Sequence, residues 1–557
     1  MLQRTALGIH IGHDRGAAVV AEGRLVAQIA EERLDRRKHS NSPELPVKAI
    51  NAALEIAGLR RDALGTVGIS YTNVVIADVV DQLAAEIRDV LRRPTVSVHG
   101  VGHHDCHAWA TYCTADVDRA IVLVADGAGD IVDDRLEAES LYLGDRGRIR
   151  LLERRLQDVG LTRTTRRNAF NLAYMSSTDR PKQISLGRKY EQFTYLLGFG
   201  QDQAGKTMAL AAYSSPLFRS ALPNGSGLRF SLTFEDGLVE LDQLWRESGE
   251  PWHRYVHQNA AAIAAAAQTM LEVQVEHLIK TLDVENTGAL CAAGGVFLSC
   301  RLNHHILTHT PIKQLHVVPA AGDDGQCVGA AFAAYSNEYG PPECSSASLP
   351  YLGGSYGDEE IAERLDYFHL PADHLSDHEL ISRLATDLAD GLILGLLRAR
   401  SEMGPRALCH RSLLADPRRA DMQDRLNHLK GRELFRPFAP VVTADEQFKY
   451  FGLAQQSPYM LLAAAVHEQY RNVLPAITHV DGTARVQAVT VEEEPFIHSL
   501  LRKFESLAGF PILLNTSFNL GGDPIVEAPH DAIVAFLGAD IDVLALENFY
   551  VAKRRPG

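Results

Sequence analysis

Apolar and polar residues fall into recognisable blocks along this chain. From Leu7 to Glu32, LGIHIG is followed by the polar turn HDRG and then by AAVVAEGRLVAQIAEE, in which Glu22-Gly23 marks a tight turn. The pattern predicts an opening β-hairpin. Ala120 to Gly129 begins with AIVLVA, a continuous apolar run suited to a buried strand, and ends in the acidic, glycine-containing turn DGAGD. A third unit, ALCAAGGVFL from Ala289 to Leu298, sets Gly294-Gly295 at a strand-to-helix turn, where bare backbone can approach a nucleotide. Three such units predict a two-lobed nucleotide fold.

Between them, the alanine-rich run Asn259 to Leu282 favours helix, with its apolar side packed on a sheet. Tyr339 to Gly357 is crowded with Pro, Gly and Ser and carries no period, so it predicts an interdomain connection. We expect a first domain over residues 1–350 and a second over 375–557, its first strand at Gly391 to Leu397.

Charge sharpens this division. Lys and Arg number 55 against 70 Asp and Glu in 557 residues, a formal charge of −15 that disfavours nucleic acid as a partner. Yet Arg398 to Arg436 holds ten Arg or Lys residues against five Asp or Glu, a local +5 that predicts an anion site. The eight arginines from Arg146 to Arg167 are accompanied by acidic residues and read as surface. A mean hydropathy of −0.10, and no apolar run near the ~20 residues of a membrane span, predict a chain that stays in water without signal peptide or anchor. Seven scattered cysteines without a CxxC pair argue against disulfides or structural zinc and fit a reducing cytoplasm.

Several constellations can carry chemistry. GHHDCHAW places His103 and His107 one helical turn apart, so both imidazoles can face one metal ion. Asp126, and Asp323 or Asp324 of PAAGDDG, would complete a two-His, two-carboxylate site whose mixed N/O ligation suits iron, manganese or zinc. The competing reading of an isolated HxxxH pair is two partly exposed helix histidines; the acidic strand ends weigh against it. His104 reads as a supporting or surface histidine. His13, in the first turn, can take a proton from a hydroxyl if its pKa lies near neutrality. Gly200 to Thr207 completes the expression GxxxxGK[ST], but no buried strand precedes it, so a P-loop is not expected; Lys206 remains a candidate phosphate contact. In the second domain Arg406, Arg411, Lys430, Arg432 and Arg436 stand among rigid and apolar neighbours, and guanidinium forks recognise phosphate or carbamate oxygens bidentately. Arg485, Asn515, Thr516, Ser517 and Asn519 add donors on strand ends or loops.

Taken in order, HDRGAA, EERLDRRKH, HHDCHAW, DGAGD, AGKTMALAAY, AAGGVFL, PAAGDDGQCVGAA, GPRALCHRS, DRLNHLKGRELFRPFAP, THVDGTARVQAV and NTSFNLGGDPIV resemble the O-carbamoyltransferase family of nodulation, cephalosporin and aminoglycoside carbamoyltransferases, nearly end to end. The resemblance implies an α/β chain with an actin/sugar-kinase-like N-terminal domain and a YrdC-like C-terminal domain. It implies ATP and carbamoyl phosphate as substrates, with magnesium accompanying ATP and iron favoured at the divalent metal site. Carbamoyl-adenylate would form in the second domain, with Arg406, Lys430, Arg436 and Arg485 as catalytic cations and Asn515, Ser517 and Arg432 holding substrate. The carbamoyl group would then pass to a hydroxyl of a small molecule in the first domain. There His103, His107, Asp126 and Asp323 would hold metal, Gly294, Gly295, Lys206 and Ser299 nucleotide, and His13 would be the base. The chain departs from the family pattern at Gly16, Ser299, Cys409 and His410, which bears on nucleotide affinity and acceptor choice. Competing readings are a tRNA threonylcarbamoyl-type enzyme, which the acidic charge opposes, and a catalytically silent nucleotide and metal sensor. The acceptor, the native metal and the oligomeric state are not legible in the sequence.

Overall fold

The computed structural model describes residues 4–72, 76–133, 135–157, 185–214, 241, 243, 245–282, 287–347 and 349–553. Of the arginine-rich stretch, Arg163, Arg166 and Arg167 lie outside the described residues.

The opening run forms three strands, β1 (Thr5–Ile11), β2 (Gly16–Ala21) and β3 (Arg24–Ala30), because the Glu22-Gly23 turn splits its second half. With β4 (Thr66–Tyr71) and β5 (Ser97–Gly100) they make a sheet ordered β3-β2-β1-β4-β5, antiparallel on the hairpin side and parallel on the other. The second sheet repeats the plan. β6 (Arg119–Ala125) is antiparallel to β8 (Arg135–Asp145) and parallel to β10 (Ala289–Ala293), which pairs with β11 (Gln314–Val317). The short β7 (Ile131–Val132) and the long β9 (Arg148–Gln157) both pair with β8. Two lobes of one strand order are the duplicated actin/sugar-kinase arrangement, and here the helix Ala260–Lys280 buries its apolar side as expected.

Two helices meet at the centre of this half. The helix Gln326–Tyr339 lies on β1 and β4 and crosses the helix His103–Cys113. At the crossing a Cβ on Gly329 would stand 1.8 Å from the Cys106 carbonyl oxygen, so the backbones meet only because this residue has no side chain. That contact seats the histidine-bearing helix.

The C-terminal half is one mixed sheet of nine strands: β12 (Asp373–His374), β13 (Leu394–Leu397), β14 (Arg411–Ala415), β15 (Ala439–Thr443), β16 (Leu462–Ala465), β17 (Thr483–Val489), β18 (Ile512–Ser517), β19 (Val543–Leu546) and β20 (Phe549–Ala552), ordered β12-β20-β19-β13-β14-β18-β15-β17-β16. Helices cover both faces. Asp377–Ala389 and Pro495–Ala508 pack together over one core through Leu384, Leu388, Leu500 and Phe504. On the opposite core, Asp358–Tyr367 contributes Ile361 and Leu365 beside Ile533 and Phe536, so the C-terminal core takes in residues ahead of Leu375. The architecture is the mixed α/β domain expected of this half.

The halves are joined by polar contacts: Arg36 donates to the carbonyls of Ile525 (2.7 Å) and Pro524 (3.0 Å), Arg301 pairs with Asp481 (3.4 Å), and Asn303 donates to the Leu461 carbonyl (2.9 Å). No described helix is long and apolar enough to cross a membrane.

Candidate active site

Four predicted residues come together: Asp126 just past the end of β6, His103 and His107 on successive turns of the His103–Cys113 helix, and Asp323 at the start of the short helix Asp323–Gly325. His103 Nε2 lies 3.1 Å from Asp126 and 3.4 Å from Asp323, and His107 Nε2 lies 3.4 Å and 3.5 Å from the same two carboxylates. The four ligand atoms all fall within 4.8 Å of one another. Burial disfavours a charged imidazole, but Asp323 and Asp126 outweigh it and hold His103 up at about 9; His107 is raised by the same pair. His107 Nε2 is buried without an aligned hydrogen bond, and two imidazoles facing two carboxylates form a donor set that fits a divalent cation. Of the two neighbouring aspartates, Asp323 turns toward the histidines. Asp324 is pushed up to about 8 by burial and by Asp14, Glu32 and Asp323. His104 is not on the surface: it is fully buried with Nδ1 2.8 Å from Ser140.

Gly295 donates its backbone N–H to Asp126 (3.0 Å), which orients that carboxylate. Gly294 has a local reason to be glycine, since its φ of 101° and a Cβ only 2.1 Å from the Ala125 carbonyl oxygen exclude any side chain. Ser299 caps the helix Cys300–His309 by accepting from Leu302 N–H, and lies against Met208. Lys206 sits in the helix Ala204–Ala211, which follows the helix Leu186–Leu196 rather than a strand, so the segment is not a P-loop. Its ammonium pairs with Glu433 of the C-terminal half at 2.6 Å.

His13 differs from expectation. Asp14 lies 3.0 Å from Nδ1 and Asp202 3.3 Å from Nε2. Burial alone would lower the ring's pKa, but these hydrogen bonds push it up to about 11, so the ring stands as a proton donor rather than a base poised near neutrality. Three partners were missed in the sequence. His39 stacks on His13 at 5.4 Å and bonds to Asp14; Asp202 closes the ring from a distant loop; His10, held near 4 chiefly by burial, lies 6.4 Å from His103. Only His39 carried a signal, since it falls within EERLDRRKH.

The C-terminal half gathers Arg406, Lys430, Arg432, Arg436 and Arg485. Burial lowers each of their pKa values, and mutual repulsion lowers Arg406, Lys430, Arg432 and Arg485 further; Arg406 and Arg432 are brought to about 9. Arg406 Nε and Arg432 Nη2 are buried without hydrogen-bond partners among the described residues. Arg432 is aimed by Asn427 (2.6 Å) and by the face of Phe438. Lys430 is seated by the Ser517 carbonyl (2.5 Å) and Asn519 (2.8 Å). Cations crowded together with so little acidic compensation suit a polyanionic ligand. Arg411, by contrast, is fully buried and donates to the carbonyls of Arg398, Glu527 and Gly354, so it braces the fold.

The departures at 409 and 410 are both accommodated. Cys409 adopts φ 84°, a conformation suited to glycine, and His410 stacks on Tyr351 at 3.7 Å while pairing with Glu494 at 2.9 Å. Cys300, at the N-terminal side of the lobe junction, and Asp324 both act electrostatically on Arg406. A cavity at this junction is lined by Met208, Cys300, Phe438, His479 and Arg485.

The family profile "Carbamoyltransferase N-terminus" matches residues 66–332, and "Carbamoyltransferase C-terminus" matches 385–553. Nodulation protein NolNO of Sinorhizobium fredii is 31% identical, over 97% of this chain and 79% of its own length. This chain belongs to the O-carbamoyltransferase family. The 3'-hydroxymethylcephem-O-carbamoyltransferase of Amycolatopsis lactamdurans is 26% identical over 94% of each chain. Among solved structures, T.kodakarensis HypF aligns with 14% identity over 61% of this chain and 48% of its own, at a TM-score of 0.39. At that score the fold assignment of this carbamoyltransferase rests on its own strand order.

Proposed function

We propose that this carbamoyltransferase uses ATP and carbamoyl phosphate to carbamoylate a hydroxyl of a small molecule, in two chambers. The single observation that carries the first step is the under-compensated cluster of Arg406, Lys430, Arg432, Arg436 and Arg485. Water cleaves carbamoyl phosphate to carbamate and phosphate. A carbamate oxygen then attacks the α-phosphorus of ATP and expels pyrophosphate, leaving carbamoyl-adenylate. The guanidinium groups offset the charge that builds up on the phosphoryl oxygens.

In the second step the acceptor hydroxyl attacks the carbamoyl carbon, AMP leaves, and the hydroxyl proton passes to a base. His103, His107, Asp126 and Asp323 would hold a divalent cation, iron being favoured; as a Lewis acid it would supply charge stabilisation beside the transferring group. Gly295 orients Asp126 in that set, and Ser299 lies against Met208, which lines the cavity between the halves. His13 becomes a base once the acceptor displaces Asp202, since loss of that carboxylate removes one of the contacts that hold its proton. The acidic side chains around it, Asp14, Glu32 and Asp202, favour an uncharged or cationic acceptor over an anionic one.

The test separates the half-reactions. Arg436→Ala is expected to abolish pyrophosphate release that depends on both ATP and carbamoyl phosphate. His13→Ala is expected to retain it and to slow product formation with hydroxylated acceptors. Equal loss of both steps in both variants would refute the division.

A further inference from the structure

Beneath the basic cluster lies a chain of amide hydrogen bonds that no charge requires. Gln487 on β17 is buried; its Nε2 donates to the Leu408 carbonyl (3.1 Å), which turns Oε1 the other way. That oxygen accepts from Asn515 Nδ2 at 2.7 Å and from the Cys409 thiol at 3.5 Å. Asn515 Nδ2 also donates to the Ala407 carbonyl at 3.2 Å. Turning either amide over would set oxygen against oxygen, at Leu408 or at Ala407, so the chain has one orientation.

The consequence falls on Asn515 Oδ1. It is buried and has no hydrogen-bond partner among the described residues, although Asn515 is only 1% exposed. Asn515 and Ser517 are two residues apart on β18 and share a face, and Ser517 is where Lys430 docks. The orphaned acceptor therefore lies on the cation-lined side of the sheet, where it costs free energy until a donor arrives.

We propose that Gln487 is a positioning residue for donor selection: it locks Asn515 so that a carbonyl oxygen faces the substrate and accepts from the carbamoyl N–H2. An acetyl group offers only a methyl there, and a carboxylate would set oxygen against oxygen. The inference rests on the adenylate-forming reading above and deepens it. Phosphate-binding arginines cannot supply this discrimination, because every acyl phosphate presents them with the same phosphate.

The test compares carbamoyl phosphate with acetyl phosphate in ATP-dependent pyrophosphate release by the full chain. The native protein is expected to prefer carbamoyl phosphate by about 10³-fold or more in kcat/KM, as sites built to bond a substrate N–H do. Gln487→Leu is expected to lower that preference about 10- to 100-fold, through the KM for carbamoyl phosphate, with the KM for ATP unchanged. A merely structural loss would lower both donors alike. Asn515→Ala is read in the same assay, so the comparison stands even if Gln487→Leu does not fold, and the same loss of preference is expected. An unchanged preference in the folded variants overturns the inference and leaves the two-step reading intact. A native protein that releases no pyrophosphate with carbamoyl phosphate overturns both.

Discussion

Arg406→Ala offers a two-sided test of the polyanion receptor. The Arg406 pKa falls from 12.5 to about 9, equivalent to roughly 5 kcal/mol against the charged form. Burial accounts for the largest share and repulsion by Arg485 and Arg436 for a smaller one, about 1–2 kcal/mol. Removing Arg406 should therefore stabilise the unliganded protein by about that amount, raising Tm by ~1–2 °C in a chain of 557 residues. It should also remove a charge-assisted contact worth about 1.5–3 kcal/mol to bound pyrophosphate, weakening affinity about 10- to 150-fold. Thermal unfolding with and without pyrophosphate, at low salt to limit screening, reads both effects on one sample. A variant that is less stable than the native protein and keeps its full pyrophosphate-induced shift would refute the reasoning, because Arg406 would then be a structural brace like Arg411.

Other outcomes follow from the same geometry. His103 is held protonated up to about 9, so a divalent cation must displace that proton; affinity for ferrous iron or zinc should rise up to tenfold per pH unit between pH 7 and 9, measured by competition with a chelator. His107→Ala should abolish stoichiometric metal retention while leaving pyrophosphate release intact, as metal analysis and the half-reaction assay would show. Asp202→Asn should lower the His13 pKa from about 11 toward its ordinary value, visible in ring-proton NMR titration. The sign follows from a raised pKa: the pair's stabilisation is complete below about 6.5 and lost as pH climbs through about 11, so the variant loses most stability at acid and neutral pH. Lys206→Met removes a partly exposed pair with Glu433 and should cost no more than ~1 kcal/mol; a KM for ATP raised more than tenfold would instead place Lys206 on phosphate during turnover.

What the sequence disclosed is what local pattern can carry. AIVLVA and ALCAAGG were legible as buried strands because continuous apolar runs ending in glycine turns are short-range signals, and both became central strands of the second sheet. His103 and His107 were legible as a pair because helical spacing alone places them on one side. The choice of Asp323 over Asp324 was not, because it depends on the turn of the short helix Asp323–Gly325. The charge of His13 was hidden for a different reason: Asp14 stands beside it in the sequence, but Asp202, the second carboxylate that holds its proton, lies 189 residues away. Gly294 has a further reason that no local pattern discloses, the close passage of the Ala125 carbonyl. Gln487 stood in plain view within ARVQAV, yet its orientation depends on Leu408 and Asn515, which no spacing relates to it.

The disposition of charge across the lobe junction argues against the silent-sensor reading. Arg406 lies close enough to Asp324 to feel its field, yet the two do not pair: burial and neighbouring carboxylates leave Asp324 with a pKa near 8, while Arg406 keeps an unpartnered buried Nε. A fold selected for stability alone would let such groups neutralise one another, because buried unpaired charge is expensive. Here the buried cations of the C-terminal half are short of counter-charge, whereas the carboxylates of the N-terminal half, Asp126, Asp323 and Asp14, lie against His103, His107 and His13. That separation would suit the proposed reaction, with polyanions held on the basic side and carbamoyl transfer beside the cluster of His103, His107, Asp126 and Asp323.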